Sequence, residues 1–382
     1  GVSSAASDVY KRQIFCLCLP LVGWLSACNE TKSVTNFAWT VSDERASAEL
    51  KDFCHDLTSR LEAGIMLGHK DALAYGSMWY NQPGRSDVKS VCGNYPAVVD
   101  WDLGGIESGS ELNVDSIPFF RIRQYVEQVY RRNGVTILSW NPSLSFLLRK
   151  DSLQNVVRSV LSGNESRVEY EQYLDRVAVF LETLKNSDGR HIPVIVHLFH
   201  SPNLASMDWG MGHCSPEDYV RLWHMTVDYL RNKKNIHHVL YAYSMYGIVS
   251  EEEISQYYPG DKYVDIVGLN LYQDFESDES GSLYKQRLNM GLSAMNRFAE
   301  ANKKLPALTD TGSKGVKISN FFSSILDPVI SKYKISYVVF GPNMWNEEES
   351  YYIPIPGHPA SEDFSKFAHS PHIITCEKAD LM

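Results

Sequence analysis

Eight short apolar runs do most to fix what this chain can fold into. They are "IMLGH" from residue 65, "AVVDWDL" from 97, "TILSW" from 136, "PVIVHLF" from 193, "VLYAYS" from 239, "DIVGLNLY" from 265, "PALTD" from 306 and "SYVVF" from 336. Each is nearly continuous in apolar residues, the pattern of parallel strands covered on both faces. Helical periodicities fall between several of them. One stripe holds Phe119, Ile122, Tyr125, Val126, Val129 and Tyr130 and stops at Gly134, a candidate C-terminal cap. Another opens on "SPED", with Ser215 as N-cap, Pro216 in the first turn and an apolar face of Tyr219, Leu222, Trp223, Val227 and Leu230. A third carries Tyr170, Leu174, Val177, Leu181 and Leu184. Strands interleaved with helices, with no second compositional regime, predict an α/β fold, a single-domain (β/α)8 TIM barrel. A doubly wound sheet fits less well, because no glycine-rich phosphate loop follows the first strand.

The barrel does not need all 382 residues. Lys11 and Arg12 precede the apolar stretch "IFCLCLPLVGWLSA", which ends at Cys28. A basic flank, a short apolar run and small residues describe an export signal, too short for a membrane-spanning helix. The "LSAC" ending resembles the box at which bacterial lipoproteins are cleaved and acylated. Residues 1–27 are therefore expected to be a signal peptide, with Cys28 as the lipidated first residue of the mature chain. Residues 1–10, ahead of the basic flank, are read as extraneous to the signal. A lipidated N-terminus and tether would span 28–44, and the barrel 45–378. The expected location is the bacterial cell envelope, at the outer membrane surface or its periplasmic face, held only by the lipid.

A net charge of −10 gives no electrostatic reason to bind nucleic acid or an anionic membrane surface. Cys54, Cys92, Cys214 and Cys376 are widely spaced and form no C-x-x-C pair, so an exported chain could join some of them, with the pairing open. No zinc-site spacing is present, and neither a metal nor a cofactor is expected. Eight Trp and 22 Tyr are more telling, since carbohydrate sites use such rings as flat apolar platforms.

In a (β/α)8 barrel the active site is built at the C-terminal ends of the strands. Those ends carry His69, Trp101, Asp102, Trp140, Asn141, His200, Ser201, Tyr243, Asn270, Tyr272, Asp310, Asn343 and Trp345. Aromatic rings and hydrogen-bonding groups at nearly every edge suit a polyhydroxylated ligand. The blocks "MLGHKDALAYG", "GNYPAVVDWDLGGIE", "GVTILSW", "PEDYVRLWHMTVDYLR", "YPGDKYVDIVGLNLYQ", "ALTDTG" and "ISYVVFGPNMW" resemble, in order, those of glycoside hydrolase family 26, over roughly residues 45–378. That family consists mostly of endo-β-1,4-mannanases, (β/α)8 hydrolases that retain anomeric configuration. The resemblance implies β-mannan or a related plant β-glycan as partner, and nothing in it implies an oligomer, so a monomer is expected.

Retaining hydrolysis uses two carboxyl groups about 5 Å apart, one as nucleophile and one as acid/base. The resemblance places the acid/base, a glutamate directly after a histidine at the end of the fourth strand, at Ser201, after His200. It places the nucleophile, the glutamate of a T-E-T-G block, at Asp310 in "TDTG". Aspartate is one methylene short, and misplacement on the order of 1 Å can cost about 100-fold. A serine hydroxyl cannot protonate a leaving oxygen, a step typically worth about 10²- to 10⁴-fold. Further departures are His197 for a usual Arg, Asn141 for a His, Ser206 and Asp208 for aromatics, and Gly341-Pro342 for a Trp-Arg pair. The expectation is a barrel that binds β-glycan through His69, Trp101, Trp140, Asn141, His200, Trp209, Tyr272, Asn343 and Trp345 and hydrolyses it poorly or not at all. Two alternatives stay open: an active β-mannanase with Asp310 as nucleophile and Asp208 as substitute acid, and a barrel serving a protein partner. His197 and His200, three apart on a strand, are expected to face opposite sides and so not to share a metal ion.

Overall fold

The computed structural model describes residues 38–144, 147, 156–163 and 165–376. All eight apolar runs are strands: β1 Ile65–Lys70, β2 Val98–Asp102, β3 Val135–Trp140, β4 Val194–Leu198, β5 Val239–Tyr246, β6 Ile266–Gln273, β7 Leu305–Ser313 and β8 Tyr337–Phe340. Each pairs in parallel with its neighbour, and β8 pairs with β1 through Met66–Tyr337 to His69–Phe340, which closes the barrel. Closure removes the sheet edges that an open sheet would have to protect.

The helical stripes also fold as read. Phe119–Tyr130 buries Ile122, Tyr125, Val126 and Val129 against the barrel, and Pro216–Asp228 is capped by Ser215, whose side chain accepts from the Asp218 amide. Gly134 is not the cap of the first of these: the left-handed residue there is Asn133, with φ 51°.

The barrel's core is layered. Met66, Val98, Val135, Ile137, Ile195, Leu240, Ala242, Ile266, Leu305, Ala307, Tyr337 and Val339 fill its lower interior. Helix α1 (Ala48–Ala63) adds Leu50, Cys54, Leu57 and Leu61 to that same cluster and so closes the N-terminal mouth. Residues 38–44 extend the domain beyond the expected boundary at 45. The Thr40 amide bonds the Lys303 carbonyl, the Ser42 amide bonds Asp265, and the Trp39 indole donates to Thr58. Cys54, Cys92 and Cys214 keep free thiols, and the Cys376 thiol donates to the Pro96 carbonyl at 3.0 Å. Among the described residues no helix is long and apolar enough to cross a membrane. The expected signal peptide, Cys28 and most of the tether lie outside the described residues.

Candidate active site

Side chains alternate along a strand, so period two decides which ones enter the barrel. At the C-terminal ends the inward set is polar: Lys70 on β1, Asp100 and Asp102 on β2, Ser139 on β3, His197 on β4, Ser244 on β5, Asn270 and Tyr272 on β6. On β7 the period breaks. Leu269 pairs with Leu308, but Asn270 pairs with Asp310, so Thr309 is an extra residue. This bulge turns both Thr309 and Asp310 inward, a common device beside active sites. The Thr309 hydroxyl then donates to the Asn270 side-chain carbonyl at 2.6 Å.

Both oxygens of Asp310 are engaged. Lys70 Nζ lies 3.0 Å from one, and the Tyr272 hydroxyl donates to the other. Lys70 also sits 4.0 Å from Asp100, whose two oxygens accept from the Ser139 hydroxyl at 2.9 Å. Burial works against the Lys70 charge, yet Asp310 and Asp100 outweigh it and hold the ammonium above its ordinary pKa. The Asp100 carboxyl is pushed up to about 6 by burial, against the pull of Lys70. Asp102 is pushed up to about 7, again by burial, with Asp115 and Asp100 adding to it.

The end of β4 is built differently. Phe199 and Ser201 hold positive φ, 39° and 54°, so the chain leaves the strand in a sharp turn. Ser201 is buried, and its hydroxyl is bonded to His200 Nδ1 at 3.2 Å and to the Asn270 amide at 2.9 Å. The Asn270 amide also reaches Ser244, whose hydroxyl bonds His197 at 2.7 Å. Burial drives the His200 pKa down to about 4, with the Lys70 charge adding, and pushes His197 well below its ordinary value. Both imidazoles are neutral at pH 7. The Ser201 end and the Asp310 end therefore face one cavity, with Asn270 bonded to Ser201 and, through Thr309, to the Asp310 bulge.

The turn also overturns the expectation that His197 and His200 face apart. Their ring centroids are 5.8 Å from each other, because the strand period ends at Leu198. Among the described residues one trio has metal-ligand reach, Glu182, His191 and His238, at the opposite mouth of the barrel. The His191 and His238 rings stack at 4.1 Å with planes 6° apart, so both cannot aim an in-plane lone pair at one ion without turning.

Several residues expected to touch a ligand are elsewhere. Trp101 and Trp140 point outward, are fully buried, and stack on Tyr125 and Tyr170 of the helix layer. His69 is likewise on the outer face, with burial lowering its pKa to about 4. Asn343 is a buried latch: it donates to Asp87 and the Ile353 carbonyl and accepts from the Tyr352 and Ile353 amides. Trp209 is buried against Phe199 and donates to the His200 carbonyl. Asn141 accepts from the His200 amide at 3.3 Å and so steadies the turn. Asp208, half-buried in the loop after β4, joins neither the bonds of Asp310 nor those of Ser201.

Tyr272 and Trp345 do stand at the cleft, half-buried, with the Trp345 ring 5.3 Å from Tyr80. Sequence reasoning missed Lys70, Asp100, Ser244 and Tyr352. Tyr352 packs edge-on to Tyr272 at 5.2 Å. A Cβ at Gly341 would lie 2.7 Å from the Tyr352 ring, and one at Gly312 also 2.7 Å, so the two glycines make its berth. Period two counted back from Asp102 would have found Asp100 on the same face of β2; Lys70 carries no such signal.

The comparisons agree with this architecture. The family described as Glycosyl hydrolase family 26 matches residues 42–326. A GH26 β-mannanase structure from Bacteroides ovatus is 38% identical, with TM-score 0.82 over 87% of this chain and 96% of that one. A GH26C structure from a Muricauda species is 27% identical, with TM-score 0.80 over 88% and 94%. A mannan endo-1,4-beta-mannosidase of Bifidobacterium adolescentis is 27% identical over 92% of this chain, which spans only 37% of that protein's length. Family match, closed barrel and a cleft built at the strand ends converge: the chain belongs to glycosyl hydrolase family 26.

Proposed function

We propose that this chain binds β-1,4-mannan or a related β-glycan in the cleft above the barrel and hydrolyses it slowly or not at all. The observation that carries the reading is the end of β4. Where the chemistry needs a carboxyl, a buried serine is bonded to a neutral histidine and an amide. Neither neighbour donates a proton to a leaving oxygen at neutral pH, and the base for the second, hydrolytic step is missing too. Support for mannan comes from the β-mannanases that the chain resembles. The lipid anchor at Cys28 belongs to the same proposal. It would hold the barrel, and any polysaccharide in it, at the cell envelope.

One observation favours a second reading, an active β-mannanase. Asp102 is an inward carboxyl held near pH 7 by burial, the condition of a general acid. It is better placed for that role than Asp208, being at the end of β2 on the inner face.

Two measurements separate these readings. Reducing-end release from glucomannan and galactomannan is compared for the protein and its Asp310→Asn variant, beside calorimetric binding of mannohexaose. Binding with no release supports the first reading. Release abolished by Asp310→Asn supports the second, and neither binding nor release leaves the protein-partner alternative. Loss of membrane association in Cys28→Ala tests the anchor.

A further inference from the structure

We propose that Lys70 is a positioning residue that disarms Asp310, a third lesion in the hydrolytic centre beside Ser201 and the shortened carboxylate. The inference rests on the reading of this cleft as a glycan site. Lys70 enters the barrel from the last position of β1, and its side chain is three-quarters shielded from water. It lies 3.0 Å from one Asp310 oxygen and 4.0 Å from Asp100, while Tyr272 takes the other Asp310 oxygen. Each oxygen of the nucleophile-position carboxylate therefore carries a partner that competes with its attack on a sugar carbon.

Two physical effects follow. A carboxylate oxygen must shed its ammonium partner before it can form a bond to C1, and a charge-assisted contact of this length is a strong one. The transition state is oxocarbenium-like and gathers positive charge at the anomeric centre. A fixed ammonium in the floor of a partly desolvated cleft repels that charge, the reverse of the preorganised stabilisation that catalysis needs. Serine at 201 removes the acid. Lysine at 70 stops the step that precedes any need for a base.

An activated substrate isolates Lys70 from Ser201. In dinitrophenyl β-mannobioside the leaving group departs as a stable phenolate, so no acid is required. One Asp310 oxygen forms the bond to C1, the C1–O(aryl) bond breaks with its electron pair, and dinitrophenolate is released. Without azide the glycosyl group stays on Asp310 and one phenolate is released per protein; in a parallel reaction, added azide takes the sugar as the glycosyl azide and re-forms the carboxylate without needing a base. The experiment compares the intact protein with Lys70→Gln, Lys70→Arg and the double variant Lys70→Gln with Asp310→Asn. Gln can still donate to Asp100 and Asp310, so the fold has its hydrogen bonds, and Arg keeps the cation. Calorimetric binding of mannohexaose and the unfolding midpoint are recorded for each.

The expected result is a phenolate burst at least about tenfold faster in Lys70→Gln than in the intact protein. Lys70→Arg should stay slow, the double variant should show no burst, and mannohexaose affinity should be unchanged, so that the gain lies in rate and not in binding. Peptide mass mapping should find the glycosyl group on Asp310. Lys70→Gln no faster than the intact protein overturns the proposal, and so does Lys70→Arg as fast as Lys70→Gln. A burst that survives Asp310→Asn overturns it as well. Failure of all variants to bind mannohexaose, with unfolding midpoints preserved, overturns the glycan-site reading and the proposal with it. Unchanged rates with intact binding remove Lys70 alone.

Discussion

The outer and inner faces of the strand ends carry opposite kinds of residue, one step apart in sequence. Outward stand His69, Trp101, Trp140 and Tyr243, all buried against the helices. Inward stand Asp102 and two bonded groups, Lys70 with Asp100 and Ser139, and Ser244 with Asn270. The aromatic residues that look most like sugar platforms thus hold helices to the barrel, and the cleft chemistry belongs to their less conspicuous neighbours. An aromatic ring at a strand end says nothing about ligands until its face is known.

Truncating the outer ring should produce the largest effect. Trp140→Ala removes a fully buried indole stacked on Tyr170 and packed near Phe199, and is expected to cost about 3–5 kcal/mol in chemical denaturation. Glycan affinity of the fraction that remains folded should be unaltered. If Trp140→Ala instead loses affinity with stability intact, the contrast between the faces is wrong. The inner ring should respond through charge. Lys70→Met strips the ammonium from two carboxyls and gives nothing back, which should cost about 3 kcal/mol by the same measurement. Lys70→Gln should cost distinctly less.

Protonation sharpens the contrast within the inner ring, because His200 and Asp102 are shifted with opposite consequences. His200 titrates near 4 in the folded protein against a usual 6.5. As pH falls through that window the unfolded chain takes up a proton that the folded one refuses, so stability is lost toward acid. Asp102 titrates near 7 against a usual 3.8. Between those values the folded chain keeps a proton that the unfolded one has released, so stability is lost as pH rises. Unfolding free energies near pH 4.5 and near pH 7.5 check both signs. His200→Asn should shrink the gain on going from acid to neutral by about 2 kcal/mol, and Asp102→Asn should enlarge it by about the same amount. Shifts in the same direction would refute the assignment of either group.

The barrel itself was legible because each strand is buried on both faces and so reads as an unbroken apolar run. That same continuity hides which face a residue takes, and the errors at Trp101, Trp140 and His69 all come from it. The β7 bulge and the left-handed turn at Phe199 and Ser201 are invisible to a period-two count, which is why His197 and His200 were expected to diverge. Lys70 went unnoticed since a lysine just past an apolar run resembles a solvated strand end. Only barrel closure brings β1 and β7 to the two sides of β8, and only then does Lys70 find Asp310, 240 positions away. Asn343 shows the reverse: its matching motif is real, but what the residue does is lock the β8 loop to Asp87.

Trp345, like Tyr272 a half-buried aromatic residue at the cleft, gives the smallest effect and the finest test. It is half-buried at the rim, and its partner Tyr80 is held by a bond from its hydroxyl to the Ser116 carbonyl at 2.6 Å. The pair is a rigid platform beside the mouth of β1, so a sugar ring would stack on it at little ordering cost. Trp345→Ala should weaken mannohexaose binding by about tenfold, equivalent to about 1.4 kcal/mol. The unfolding free energy should move by less than about 0.5 kcal/mol, as for surface substitutions away from the core. Trp345→Phe should recover most of the affinity, because the loss is of a flat apolar face and not of the indole N–H. Unchanged affinity in Trp345→Ala would move the glycan off this rim and toward the Tyr272–Tyr352 pair, where Tyr352→Ala becomes the corresponding measurement.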